Sequence, residues 1–127
     1  MNQKKTILLV DDEKDLSEEL GIRLKASGYS VLVAYNGPKG IERAMQEKPD
    51  LILLDVIMPK MNGYQVCHDL KNDPKTKSIP VILLTAKTQE SDKTWGKECG
   101  ADEYITKPYE IYSLLSKIKA LLEGKKK

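Results

Sequence analysis

Five residues capable of polar chemistry stand just downstream of short apolar runs. Asp11 and Asp12 follow the run at 7–10, Asp55 the run at 51–54, and Thr85 the run at 81–84. Lys107, with Pro108 after it, follows a weaker run at 104–106. The run at 31–34 leads instead into Tyr35, Asn36 and Gly37, which add no ionic group. Three carboxylates gathered together cannot all stay ionised without compensation, because like charges a few ångströms apart repel strongly. Lys107 offsets one charge, and the remaining deficit suits an oxygen-seeking divalent cation. Mg²⁺ fits a site with few carboxylates and several retained waters. Metal, carboxylate, hydroxyl and ammonium together describe phosphoryl handling, where positioning and neutralising the phosphoryl oxygens carry most of the catalysis. Asp55, presented alone at the end of an apolar run, is the candidate nucleophile. Asp11 and Asp12 are better suited to holding the cation.

Each of these residues has a plainer explanation taken singly. Asp11-Asp12 suits an acidic helix N-terminus. Asp55 could be a loop acid before Met58-Pro59, Thr85 an ordinary strand-end residue, and Lys107 a solvated lysine. Their joint occurrence, each at the end of an apolar run, favours a site.

The elements that must position them can be read from periodicity. The runs at 7–10, 31–34, 51–54, 81–84 and 104–106 are too short for helices, and most are uninterrupted, as strands covered on both faces should be. Segments of helical period lie between them. Leu16, Leu20 and Leu24 repeat at i, i+4 and i+8, ending near Gly28. Ile41, Ala44 and Met45 follow Gly37-Pro38, and proline suits a first helical turn. A third helix is expected over 63–70, stopped by Asp73-Pro74, and a weaker one over 90–98, polar apart from Trp95. Ile111, Leu114, Leu115, Ile118, Leu121 and Leu122 make the last and most continuous stripe. Five strand–helix repeats imply an α/β doubly wound parallel sheet with right-handed crossovers. In such sheets ligands bind beyond the carboxyl ends of the strands.

Composition narrows the function classes. The 127 residues suffice for one domain, and 40% are hydrophobic. Lys plus Arg number 21 and Asp plus Glu 19, a net charge of +2. The basic excess of a dedicated nucleic-acid binder is missing. The apolar runs are too short to cross a membrane, and no secretory signal opens the chain. Two cysteines in no paired motif imply thiols in a reducing compartment, so a cytoplasmic location is expected.

The segments VDDE (10–13), LILLDVIMPKMNG (51–63), PVILLTA (80–86) and GADEYITKP (100–108) resemble, in order and spacing, the receiver domains of two-component response regulators, especially chemotaxis-type single-domain receivers. The resemblance covers about residues 4–123 and implies one receiver domain over 1–127. It also implies the flavodoxin-like strand order 2-1-3-4-5.

Carried over residue by residue, the resemblance implies that Asp55 accepts a phosphoryl group from a histidine kinase's phosphohistidine. Asp12 and Asp55 ligate Mg²⁺ directly, the Ile57 carbonyl is a third ligand, and Asp11 acts largely through water. Thr85 donates its hydroxyl and Ala86 its amide to phosphoryl oxygens, Lys107 pairs with another, and Lys107–Pro108 is expected to be cis. Tyr104 matches an aromatic switch position that turns inward when Thr85 moves; without the resemblance it reads as an edge aromatic. The implied partners are a sensor histidine kinase or phosphotransfer protein, and a downstream protein bound through the fourth helix, fifth strand and fifth helix. No direct DNA binding and no membrane contact are expected. Apolar Ile57 offers no hydrogen bond to an attacking water, so slow hydrolysis is expected, while Lys87 is a cation that either reaches the site or is simply solvated.

Two rival readings differ in class. A small aspartyl-phosphate phosphatase or phosphotransferase would carry a second acid two residues after its nucleophile, where this chain has Ile57. A pseudo-receiver that only binds partners would lack an acid, Thr85 or Lys107. The favoured reading is a signalling switch that catalyses its own phosphotransfer and dephosphorylation. His68, with no second ligand at helical spacing, reads as a surface histidine, and Lys125-Lys126-Lys127 as a solvated end.

Overall fold

The apolar runs form five strands, and a computed structural model describes residues 4–56, 58, 61–85 and 99–123. In chain order they are β1 (Thr6–Val10), α1 (Lys14–Ala26), β2 (Ser30–Ala34), α2 (Gly37–Glu47), β3 (Leu51–Asp55), α3 (Gly63–Lys71), β4 (Val81–Thr85), β5 (Glu103–Thr106) and α4 (Ile111–Glu123). The sheet order is β2-β1-β3-β4-β5, all parallel. This is the doubly wound arrangement and strand order that the sequence led us to expect. The fourth expected helix, over 90–98, lies outside the described residues, as do Trp95, Lys87 and the terminal lysines. Thus α4 here is the fifth helix of the sequence reading. Among the described residues no helix is long and apolar enough to cross a membrane.

Alternate residues of each strand go to opposite faces, and the core divides accordingly. Leu8, Val10, Ile52, Leu54, Val81 and Leu83 pack with Ala44 of α2 and Val66, Cys67 and Leu70 of α3. Ile7, Leu9, Leu51, Leu53, Ile82 and Leu84 pack on the other face with Leu20 and Leu24 of α1 and Leu114 and Ile118 of α4. Fully burying one such side chain contributes about 1.5–3 kcal/mol. β1, β3 and β4 therefore hold their apolar residues inside, and their first polar residue falls at the carboxyl edge. β2 and β5, the two edge strands, lack this two-sided cover, and Ile105 is the one buried residue of β5. In β2, Val31, Leu32 and Val33 are only half-buried.

Local signals set the helix starts. The Asn36 and Asn62 side chains accept from the backbone N–H of Lys39 and Gln65 at 2.8 and 3.0 Å, capping α2 and α3. Pro38 lies in the first turn of α2. That helix sits close on β1, because a Cβ on Gly40 would come within 2.9 Å of both Val10 methyls. α1 departs from the expected leucine stripe. It buries Ser17, Leu20, Gly21 and Leu24, while Leu16 is 49% exposed. The buried spacing of three, four and seven follows the helical period more closely than strict fours. Leu16 instead lines a cleft beside the carboxyl edge of the sheet.

Candidate functional site

The chain leaves β1 for the outer strand β2, then returns past β1 to form β3, so β1 and β3 flank the point where the winding reverses. A crevice opens at their carboxyl ends. Val10 lies beside Leu54 in register, and Asp11 and Asp55 consequently emerge next to one another. Carboxylate oxygens of Asp11, Asp12 and Asp55 all lie within 4.8 Å of one another. Asp11 and Asp55 are buried, and Asp12 is the most open of the three.

Each acid is held by a different local device. The Asp11 N–H donates to the Ala34 carbonyl at 3.0 Å, and Asp11 Oδ1 accepts from the Glu13 N–H at 2.9 Å, at the start of α1. Burial pushes the Asp11 carboxyl above its usual range, reinforced by the charges of Asp55 and Asp12 and opposed by the Glu13 N–H and Lys107. Asp55 closes β3, and the Val56 N–H continues the ladder to the Leu84 carbonyl at 3.0 Å.

Lys107 reaches Asp55 from two strands away. The Lys107 N–H donates to the Thr85 carbonyl at 2.6 Å, and its side chain crosses the end of β4 to place Nζ 3.1 Å from Asp55 Oδ1. The Lys107–Pro108 peptide is cis, as the resemblance implied. Thr85, at the end of β4, is buried, and its Oγ1 has no hydrogen-bond partner among the described residues. Four of the expected positions, Asp11, Asp12, Asp55 and Lys107, thus converge, with Thr85 beside them. Ile57 and Ala86 lie outside the described residues.

Tyr104 sits on β5 alongside Leu83, half-buried against the core. His68 lies on the open side of α3, its Nδ1 3.7 Å from the Asp69 carboxylate.

Sequence reasoning took Gly63 only as a helix start. In fact a Cβ there would collide with the Asp55 carbonyl oxygen and come within 2.7 Å of the Val56 Cα, while the Gly63 N–H donates to the Val56 carbonyl at 2.8 Å. α3 therefore begins directly against the backbone at the end of β3. Asn62-Gly63 directly ahead of a helical segment was the available signal. A cleft of about 540 Å³ also adjoins the site, lined by Asp11, Leu16, Glu19, Arg23, Lys107 and Tyr109 among others. No periodicity pointed to it, because its walls come from α1 and the connection into α4.

Comparison with known proteins agrees with this arrangement. Residues 7–119 match the model of the response regulator receiver domain. The chain is 47% identical over 118 residues to the protein PilH of Pseudomonas aeruginosa, covering 93% of this chain and 98% of PilH. It is 44% identical over 116 residues to RpaA of Synechocystis, a DNA-binding dual master transcriptional regulator, covering 91% of this chain but only 48% of RpaA. The solved receiver domain of a signal transduction histidine kinase from Syntrophus aciditrophicus superposes with a TM-score of 0.90 at 41% identity, covering 97% of this chain and 93% of that one. Receiver domains bind Mg²⁺ at an acidic pocket and act with histidine kinases or phosphotransfer proteins, and Asp11, Asp12 and Asp55 form such an acidic pocket here. A matching family model over most of the sequence, a relative matched along nearly its whole length, and acids, hydroxyl and lysine at the strand ends agree: this chain belongs to the response regulator receiver domains of two-component signal transduction.

Proposed function

We propose that Asp55 accepts a phosphoryl group from a phosphohistidine, and that Asp11, Asp12, Thr85 and Lys107 support the transfer. The observation that carries this reading is the Asp55 carboxylate, buried beside two further acids yet held 3.1 Å from Lys107. In the transfer one Asp55 oxygen attacks phosphorus and the P–N bond to the imidazole breaks. The bonding pair stays on the imidazole nitrogen. Lys107 remains near Asp55 and meets a phosphoryl oxygen as negative charge accumulates.

Three clustered carboxylates facing one ammonium are a hard-oxygen donor set that fits Mg²⁺. Asp12 and Asp55 would ligate it with the Ile57 carbonyl, and Asp11 would act mainly through water. When bound, Mg²⁺ supplies positive charge that neutralises the acids and the phosphoryl oxygens. The buried Thr85 hydroxyl, which has no partner among the described residues, is a donor available to a phosphoryl oxygen, and the Ala86 amide would be a second donor.

Phosphorylating a carboxylate changes the charge less than phosphorylating a serine, since one negative charge is consumed. The new acceptor oxygens therefore carry much of the signal, by drawing in Thr85 and Lys107. Thr85 pairs in register with Thr106 on β5, two residues beyond Tyr104, so a shift at the end of β4 acts directly on the strand that bears Tyr104. The readout surface is the face of β5 and α4 beside Tyr104, which binds a downstream protein.

The test is incubation with Mg²⁺ and a small phosphodonor such as acetyl phosphate, followed by intact mass measurement. One added phosphoryl group is expected. No adduct, or an adduct that persists in Asp55→Asn, overturns the assignment.

A further inference from the structure

Cys67 and Cys99 stand 32 positions apart in sequence and meet in the fold. The Cys67 thiol donates to the Cys99 carbonyl oxygen at 3.5 Å, which brings the two residues into contact. Both are reduced and buried in the core on the α2–α3 face of the sheet.

The contact is fixed on both sides by anchors independent of the thiols. At the end of α3, Lys71 Nζ donates to the Ile79 carbonyl at 2.7 Å and pairs with Asp102 Oδ2 at 2.8 Å. The same Asp102 oxygen accepts from the Val81 N–H at 2.8 Å. Gly100, at φ +89°, lets the turn before β5 lie on α3, where even a Cβ would come within 3.3 Å of Lys71 Cγ. The turn carrying Cys99 is therefore clamped to the helix carrying Cys67.

We propose that Cys67 and Cys99 are a reversible oxidation site, closing to an intramolecular disulfide with a peroxide as oxidant. The inference does not depend on the chemistry of Asp55.

The two sulfurs have unequal roles. Cys67 is fully enclosed, whereas Cys99 is 5% exposed, so a water-sized peroxide meets Cys99 first. The neighbouring Cys67 side chain holds the Cys99 thiol below its ordinary range, with help from backbone hydrogen bonds and the Lys71 charge, and the same neighbour, with burial, pushes Cys67 upward. The Cys99 thiolate attacks one peroxide oxygen, the O–O bond breaks, and hydroxide leaves to become water. Cys99 is then a sulfenic acid. The Cys67 sulfur attacks the Cys99 sulfur, the S–S bond forms, the S–O bond breaks, and the Cys67 proton leaves with hydroxide as a second water. Two thiols are oxidised and one peroxide is reduced. The bridge closes a loop containing Thr85 and the connection 86–98, and so fastens α3 to the entry of β5.

The experiment treats the reduced full chain with hydrogen peroxide and maps its tryptic peptides without reduction. Expected is the loss of two hydrogen atoms, with peptides 61–71 and 98–117 joined and then separated by dithiothreitol. Cys67→Ser, which keeps a donor beside Cys99 but no resolving sulfur, should stop at a Cys99 sulfenic acid captured by dimedone, whereas Cys99→Ala should leave Cys67 unlabelled. Disulfide-linked dimers, sulfinic acid without the joined peptides, or no reaction would overturn the proposal. The wild-type map decides it even if a variant folds poorly.

Discussion

Lys107 and Asp55, whose strands are separated by β4, form an ion pair of 3.1 Å across that strand's end. Removing the ammonium leaves Asp55 beside Asp11 and Asp12 with no opposing charge in contact among the described residues. The Lys107 side chain is 32% exposed, so solvent screens the pair in part. Its loss should cost between the surface-pair value and the buried-pair value, about 1–3 kcal/mol. Lys107→Ala should therefore unfold at lower urea in EDTA, and Mg²⁺ should restore part of the difference. An unchanged midpoint in EDTA would show that the pair contributes nothing to the resting fold.

Asp11 gives a pH dependence of definite sign. Burial first, then the neighbouring acid charges, hold its carboxyl above the ordinary 3.8 in the folded chain. The folded protein thus binds that proton more tightly than the unfolded one. The resulting stabilisation is complete below the unfolded value and is lost as pH rises through the folded value. At neutral pH the ionised Asp11 weighs against folding. Asp11→Asn, which keeps an oxygen for the Glu13 N–H, should raise the urea midpoint at pH 7 in EDTA. The gap should close below about pH 4. Mg²⁺ affinity should meanwhile fall by about 10–100-fold, as for an acid acting through water. A lower midpoint at pH 7 would contradict the sign.

Two glycines should respond differently to alanine. At Gly63 a Cβ meets the Asp55 carbonyl and the Val56 Cα, both backbone, so the start of α3 or the end of β3 must move. Gly28, at φ +101°, has open space where a Cβ would stand, with nothing within 4 Å, and only the backbone conformation is strained. Gly28→Ala should cost about 1 kcal/mol and leave phosphorylation intact. Gly63→Ala should cost about 2–3 kcal/mol, as forced overpacking does, and slow phosphoryl acceptance as well. Equal rates of adduct formation in the two variants would dissociate the Gly63 contact from the site.

The sheet and its carboxyl edge were legible because buried strands carry uninterrupted apolar runs, and the first polar residue after each run has to lie at the rim. Asp11, Asp55 and Thr85 could be placed by that rule alone, whereas Lys107 follows a half-buried strand that ends in Thr106 and was placed less directly. The burial of individual helix residues was less legible. The leucine spacing in α1 suggested Leu16 as core, yet Ser17 and Gly21 took the inner face because small residues let the helix sit close to the sheet. The Cys67–Cys99 contact was invisible for a different reason. It depends on the turn before β5 packing on α3, a tertiary relation held by Lys71 and Asp102 that linear spacing does not encode.

Thr85 separates stability from signalling. Its Oγ1 is buried and makes no hydrogen bond to the described residues, so the resting protein bears the cost of a desolvated hydroxyl. Valine has nearly the same shape and no such group. Thr85→Val should therefore be more stable than the parent by about 1 kcal/mol in urea unfolding. Asp55 keeps its neighbours in this variant, so a phosphoryl adduct should still form with acetyl phosphate and Mg²⁺. What should vanish is the consequence of that adduct. In the parent, phosphorylation should alter amide hydrogen exchange across 103–106, where Tyr104 lies beside Leu83. In the variant no hydroxyl is drawn toward the phosphoryl group, and exchange in that strand should match the unphosphorylated protein. An undiminished exchange response in Thr85→Val would separate Thr85 from the switch and leave Lys107 as the residue that transmits it.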